Sequence, residues 1–203
     1  MVVSDNIFPV TDALPDDAAP ARIGREIRDL RKARRLTIKE LSLATSLSIG
    51  HLSEIERGLS SPSIKALHDI AKALGVTIGW FLHNAEATEQ GERDYIVRAG
   101  NRRTLKFSSG ITDELLSPNL RGQIELLMSR FPPGAVGAEA PYSHQGEEAG
   151  LLLAGTLELW IGEQCFTLNQ GDSFSFPSTT PHRYRNPGDA ETVVIWAITP
   201  PSY

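Results

Sequence analysis

The spacing of apolar residues changes partway along the chain, and that change limits its fold more than any other feature. From about residue 21 to 83 apolar side chains recur every third or fourth position, and from about Asp94 onward they alternate with polar ones in short runs. The first spacing belongs to helices that bury one stripe, the second to strands that bury one face. An α+β organisation in two domains follows, and 203 residues leave room for two compact units and a short connection. The expected division is a disordered acidic tail at 1–20, a helical domain at 21–83, a linker at 84–93 and a β domain at 94–203. The tail carries four aspartates and three prolines, and the linker, NAEATEQGER, has no apolar periodicity.

Composition excludes several classes. A hydrophobic fraction of 40% with 22% charged residues is that of a folded globular protein, and no apolar run is long enough to span a bilayer. The first residues lack the basic and apolar segments of a secretory signal. Cys165 is the one cysteine, so no intrachain disulfide forms, and a cytoplasmic location is expected. The net charge of −5 argues against a polyanionic partner until it is divided by segment. Residues 21–83 hold eleven Lys and Arg against six acids, whereas 84–203 hold nine against fifteen. Any polyanion therefore binds the helical third.

Within that third, Ile23, Ile27 and Leu30 form one stripe of a charged first helix that ends at Leu36. Thr37 caps a second helix, with Glu40 completing a capping box. The polar turn TSLS follows, and Ser48 caps a third helix running to about Arg57, where Gly58 stops it. A fourth helix is expected to start at Ser61 with Pro62 in its first position, to bury Leu67, Ile70, Ala71 and Leu74, and to end at Gly75. Thr77 then caps a short turn, IGWFL. The run LTIKELSLATSLSIGHLSEIERGLSSPSIKALHDIAKALGVTIGWFL resembles the lambda-repressor-like, or XRE, family of helix-turn-helix domains. The resemblance implies a five-helix fold that places the third helix in the DNA major groove. With Leu52 and Ile55 marking the buried side, Gly50, Ser53, Glu54 and Arg57 lie opposite, flanked by Ile49 and His51. The DNA-binding set is thus Thr37, Ile38, Lys39, Ser48, Ile49, Gly50, His51, Ser53, Glu54 and Arg57. Ser48, Ile49, Gly50, Ser53 and Glu54 are placed for base edges, Lys39 and Arg57 for phosphates.

In the β half the expected strands are YIVRA, RRTLKF, QIELLMSRF, GLLLAG, TLELWIG, QCFTL, SFSFP, HRYRN and TVVIWAITP, separated by turn sequences such as Asn-Pro-Gly-Asp. Trp160, Trp196, Phe174 and Phe176 read as core or interface, and in HRYRN the alternation puts His182, Tyr184 and Asn186 on one face and the two arginines on the other. Gly171, Pro177, His182 and Asn186 stand at the intervals of a cupin motif, with Thr179 at the usual glycine. His144, Glu148 and Gly155 match the preceding motif, with Tyr142 where its first histidine belongs. The segment from roughly residue 120 onward therefore resembles the cupin family, which implies a small jelly-roll barrel. That family's metal sites use three histidines and a glutamate; His144, Glu148 and His182 are what remains here. They are sufficient for a divalent metal (Zn, Fe, Mn or Ni) or, with Tyr142 and Tyr184, for an organic effector without one.

An XRE domain followed by one cupin domain resembles a class of small bacterial regulators, the putrescine-utilisation repressor group in particular. The resemblance implies a non-enzymatic homodimer that binds double-stranded operator DNA as a repressor of a catabolic operon. A small-molecule effector in the barrel (an amine, an amino-acid-type metabolite or a carboxylate) would modulate operator affinity. The alternative is a metal-dependent cupin oxygenase or isomerase with an appended helical domain.

Overall fold

The computed structural model describes residues 19–82, 92 and 94–202. The expected tail up to residue 18, and the expected linker apart from Glu92, lie outside the described residues. Five helices come first: α1 (Ala19–Ala33), α2 (Ile38–Thr45), α3 (Ile49–Glu56), α4 (Ile64–Ala73) and α5 (Gly79–Leu82). α1 thus opens inside the expected tail and stops before Leu36. Each cap satisfies an amide that the helix itself leaves free. Thr37 and Glu40 form the capping box of α2, and the Ser48 hydroxyl accepts from His51 N at the start of α3. The expected start of the fourth helix at Ser61 is corrected to Ser63. That residue is extended (φ −64°, ψ 160°) and its hydroxyl accepts from Ala66 N, which leaves Pro62 ahead of the helix.

Ile27, Leu30, Leu41, Leu52, Ile55 and Ile70 are all 0% exposed and form the core of this domain, each contributing roughly 1.5–3 kcal/mol by burial. Two contacts lock α1 against α3. Gly24 faces α3 so closely that a Cβ would sit 2.0 Å from the Ile55 carbonyl oxygen, so only glycine fits. Further along α1, the Arg31 guanidinium grips Glu56 with both branches, Nε to Oε1 at 2.6 Å and Nη2 to Oε2 at 2.8 Å, while Nη1 donates to Leu36 O.

Nine strands follow: β1 (Arg103–Lys106), β2 (Thr112–Leu115), β3 (Glu125–Phe131), β4 (Glu147–Ala154), β5 (Thr156–Ile161), β6 (Gln164–Asn169), β7 (Ser173–Pro177), β8 (His182–Arg185) and β9 (Thr192–Thr199). They form antiparallel sheets in the orders β1-β2-β3-β9-β4-β7 and β6-β5-β8. Two expectations are corrected. YIVRA is not a strand: Tyr95 is 82% exposed, and the segment runs through turns into a short 3-10 turn at Ala99–Asn101. β2 has no counterpart among the expected strands, because TDEL lacks apolar alternation and is held by its place between β1 and β3. Of the aromatic residues read as core or interface, Trp160 is half-buried under the Arg183 and Arg185 guanidinium groups, 4.2 and 5.5 Å from its ring centre. Trp196 and Phe176 are buried as expected.

The two domains meet through arginines of the barrel. Arg103 pairs with Glu26 of α1 at 2.9 Å and lies 5.6 Å from the Trp80 ring centre, and Arg121 reaches Asp29 at 3.4 Å.

Replacing Arg31 by Ala strands a carboxylate that is only 6% exposed, so urea denaturation is expected to show a loss of about 3–5 kcal/mol. The paired change Arg31→Met with Glu56→Met should recover most of it. A loss under about 1 kcal/mol for Arg31→Ala would mean the pair does not fix α3.

Candidate functional site

Two places in the fold collect the expected functional residues. The first is the free side of α3. Ile49, Gly50, Glu54 and Arg57 are exposed, His51 and Ser53 are half-exposed, and Leu52, Ile55 and Glu56 are buried. The helical angle computed from two apolar residues therefore divides the helix correctly. Arg57 Nε folds back onto Ser53 O at 3.2 Å, and His51 Nδ1 lies 3.9 Å from Glu54. In α2 and its cap, Thr37 and Lys39 are exposed, while Ile38 packs against the domain core and serves as support for its neighbours. Gly50 has open space around it: a Cβ would meet only the Ser48 hydroxyl, at 4.0 Å. Among the described residues nothing requires glycine there. Leu43, Leu59 and Ile64 of the helical domain, all more than 60% exposed, carry no signal in the sequence pattern.

The second place is the barrel interior. Glu148 projects from β4, which is paired on one side with β7 and on the other with β9. His182 opens β8 and exchanges two backbone hydrogen bonds with Tyr142, at 2.9 and 3.0 Å. His144 N donates to Ser178 O, and Gly146 then passes under β9 at φ +109°, where a Cβ would sit 1.7 Å from Thr199 O. Backbone pairing thus carries residues far apart in sequence to one spot. One ligand atom from each of His144, Glu148 and His182 lies within 4.8 Å of the others.

The electrostatics of that spot are distinctive. Glu148 Oε1 stands 2.8 Å from His144 Nε2 and 3.2 Å from His182 Nε2. Yet Oε1 and His182 Nε2, both fully buried, have no aligned hydrogen bond. Burial alone would raise the Glu148 pKa, but the neighbouring imidazoles outweigh it and hold the carboxyl below its usual range. For His182, burial would favour the neutral ring, but the Glu148 carboxylate and the Thr180 carbonyl, which its Nδ1 approaches at 2.8 Å, together raise its pKa. Two buried donor atoms left without hydrogen bonds beside a third is the arrangement a divalent cation would satisfy.

Tyr142, at the position of the missing histidine, sets its ring 4.4 Å from His182 and bonds Tyr184 Oη through its own hydroxyl at 2.9 Å. Burial and nearby carboxylates push both phenols up, so they stay protonated. Asn186 ties the backbone together, its Nδ2 donating to Phe131 O, Pro132 O and Ala190 O. Sequence reasoning missed Asp113 and Ser129, neighbours on β2 and β3 joined by a 2.6 Å hydrogen bond. Burial pushes the Asp113 carboxyl up to about 6, against the lowering effect of the Ser129 hydroxyl. No motif contains them, and although Ser129 lies in the expected strand QIELLMSRF, the sequence pattern does not reveal β2, which carries Asp113.

A helix-turn-helix family model matches residues 27–81 and a cupin domain model matches residues 127–198. Among curated proteins, the chain is 24% identical over 185 residues to the HTH-type transcriptional regulator PuuR of Escherichia coli (strain K12), covering 89% of this chain and 96% of the relative. It is 30% identical over 99 residues to the immunity repressor protein of Bacillus phage phi105, covering 44% of this chain and 69% of that protein. Among solved structures, the hydroxypropylphosphonic acid epoxidase from S. wedmorenis is 18% identical, with a TM-score of 0.47 over 88% of this chain and 97% of the other. Motif spacing, helical architecture and the matching regulators agree: the chain belongs to the XRE-type helix-turn-helix family of transcriptional regulators and carries a cupin domain behind its helical one.

Proposed function

We propose that this chain is a sequence-specific DNA-binding repressor of a catabolic operon whose barrel receives a small effector that changes operator affinity. The observation that carries the reading is the free side of α3: a polar face with a glycine that the fold does not need, on a domain with a local charge of +5 in an otherwise acidic chain. Base edges would be met by Ser48, Ile49, Gly50, Ser53 and Glu54, with His51 at the flank. Lys39 and Arg57 would hold phosphates, and the Thr37–Ile38 turn would set α2 against the backbone. A single α3 buries too little surface for tight specific binding, so the working unit is a homodimer on paired half-sites in the cytoplasm. Among the described residues no helix is long and apolar enough to cross a membrane.

In the barrel, His144, Glu148 and His182 would hold a divalent metal such as Zn, Fe, Mn or Ni; when bound, it supplies a Lewis-acidic anchor for a donor atom of the effector. Tyr142 and Tyr184, whose hydroxyls bond each other at 2.9 Å, would contact the effector. The resemblance to the putrescine-utilisation group suggests an amine or amino-acid-type metabolite, whereas a metal-bound site would make it a carboxylate. The effector's binding energy would reach the DNA-reading domain through the Arg103–Glu26 and Arg121–Asp29 pairs, which join the barrel to α1 at 2.9 and 3.4 Å. An enzymatic reading, an oxygenase or isomerase, would rest on the same three ligands but leaves the free face of α3 without a purpose.

For DNA, Gly50→Ala is expected to raise stability by up to about 1 kcal/mol, since alanine is the better helix former, while Gly50→Leu lowers affinity for a duplex selected from a random pool at least tenfold. Gel shifts with the selected and a shuffled duplex check this. Lys39→Ala and Arg57→Ala should weaken both duplexes alike and each reduce the salt slope by about 1. If Gly50→Leu binds the selected duplex as wild type does, α3 does not read it. For metal, elemental analysis of protein equilibrated with Zn, Fe, Mn or Ni should find one ion per chain, lost in Glu148→Gln. Retention of the ion in Glu148→Gln would place it elsewhere.

A further inference from the structure

Resting on the reading of His144, Glu148 and His182 as a metal site, we infer that Arg35 is a positioning residue that couples this site to the DNA-reading helices through the carbonyl of Gln145. α1, α3 and α4 close in the same way. Arg35 N donates to Lys32 O and Leu36 N to Arg31 O; Gly58 N donates to Ile55 O and Leu59 N to Glu54 O; Gly75 N donates to Lys72 O and Val76 N to Ala71 O. The pivots of these closures, Arg35, Gly58 and Gly75, are all left-handed, at φ +57°, +72° and +69°. Glycine adopts that conformation freely, whereas a residue with a Cβ is strained in it. α1 thus carries an arginine where α3 and α4 carry glycine; the other non-glycine residue with positive φ among those described is Ser46, at the end of α2. The arginine reaches out of its own domain, with Nη2 donating to Gln145 O of the barrel at 3.4 Å, and it has no carboxylate partner among the described residues. A strain that glycine would remove, at a residue whose side chain touches the second domain, points to a role for that side chain.

On the barrel side, the same carbonyl lies 3.2 Å from His144 Nδ1. His144 Nε2 faces Glu148 at 2.8 Å and is the atom that would hold a metal, so Nδ1 carries the proton and donates it to Gln145 O. The carbonyl cannot follow either donor, because the backbone on both sides of it is pinned. His144 N donates to Ser178 O and Ser178 N to Gly146 O, both at 2.9 Å, and Gly146 is pressed against Thr199 O. Arg35 and His144 therefore share one fixed acceptor. With a cation on Nε2, Nδ1–H becomes the stronger donor, and the share of Gln145 O left to Arg35 shrinks. On the helical side, Arg35 adjoins Leu36, whose carbonyl accepts from Arg31 Nη1 at 2.7 Å, and the same guanidinium grips Glu56 at the end of α3. The contacts from the metal ligand to α3 thus run through Gln145 O, Arg35, Leu36 and Arg31.

The test measures the affinity of full-length protein for the selected duplex by fluorescence anisotropy, first stripped of metal by a chelator and then with one equivalent of zinc chloride. Calorimetry reports zinc binding in parallel. In wild type the two affinities are expected to differ by roughly two- to tenfold, the range that one net hydrogen bond supports. Arg35→Gly and Arg35→Ala should both bring that ratio to one while still binding zinc. Arg35→Gly should melt at or above the wild-type temperature and Arg35→Ala below Arg35→Gly, since only glycine relieves the backbone. A ratio unchanged in both variants overturns the inference, including the case in which both metal states lose DNA affinity equally, which would make Arg35 a phosphate contact. A ratio lost in Arg35→Gly but kept in Arg35→Ala overturns it too, because the coupling would then reside in the backbone. A wild-type ratio of one with zinc bound overturns it while leaving the metal site standing. Absence of bound zinc in wild type overturns it together with the metal reading.

Discussion

The buried ion pair between Arg31 and Glu56 is the interaction on which the DNA-reading geometry depends. Glu56 is the last residue of α3, and its carboxylate is almost fully enclosed; removing the guanidinium from α1 would leave it buried without its ion-pair partner. Because Arg31 also donates to Leu36 O, one side chain fixes the end of α3 and the entrance to α2 together. Gly24 brings the same two helices into backbone contact further along. With the buried side of α3 held in this way, its other side is free to be composed for a partner. The residues there satisfy no core requirement, which is why their identities are informative about binding.

The barrel follows similar logic with hydrogen-bonded strands in place of an ion pair. Pairing of β4 with β7 and β9 fixes Glu148, and the Tyr142–His182 bridge fixes the two ring systems. The polar groups so assembled are expensive to bury and are only partly satisfied by one another. The ligand proposed for the barrel would offset that cost by satisfying them. Arg103, lodged between Glu26 and Trp80, joins this interior to α1, which in turn grips α3.

Much of this was legible in the sequence. The apolar stripe in α1, the capping box at Thr37 and Glu40, and the burial of Leu52 and Ile55 are local consequences of helical geometry, so residue spacing reveals them. The convergence of His144, Glu148 and His182 was legible for a different reason, the match of their intervals to a family motif. What escaped detection depends on tertiary partners. β2 exists because β1 and β3 flank it, Asp113 meets Ser129 only through that pairing, and Ser63 outcompetes Ser61 as a cap through one hydroxyl-to-amide bond. Trp160 reads as core or interface, and two arginines cover its ring. Gly24 gave no signal at all, since nothing in a sequence announces that another backbone will pass within contact distance.

The most direct test of the central claim, that the free side of α3 reads DNA sequence, is the affinity ratio of full-length protein for promoter DNA of its own gene over a shuffled duplex of equal composition. Fluorescence anisotropy across a potassium chloride series measures it. The account predicts that both affinities fall as salt rises, the promoter remaining preferred by at least about 10³-fold throughout. Equal affinity for the two duplexes at every salt concentration would contradict it.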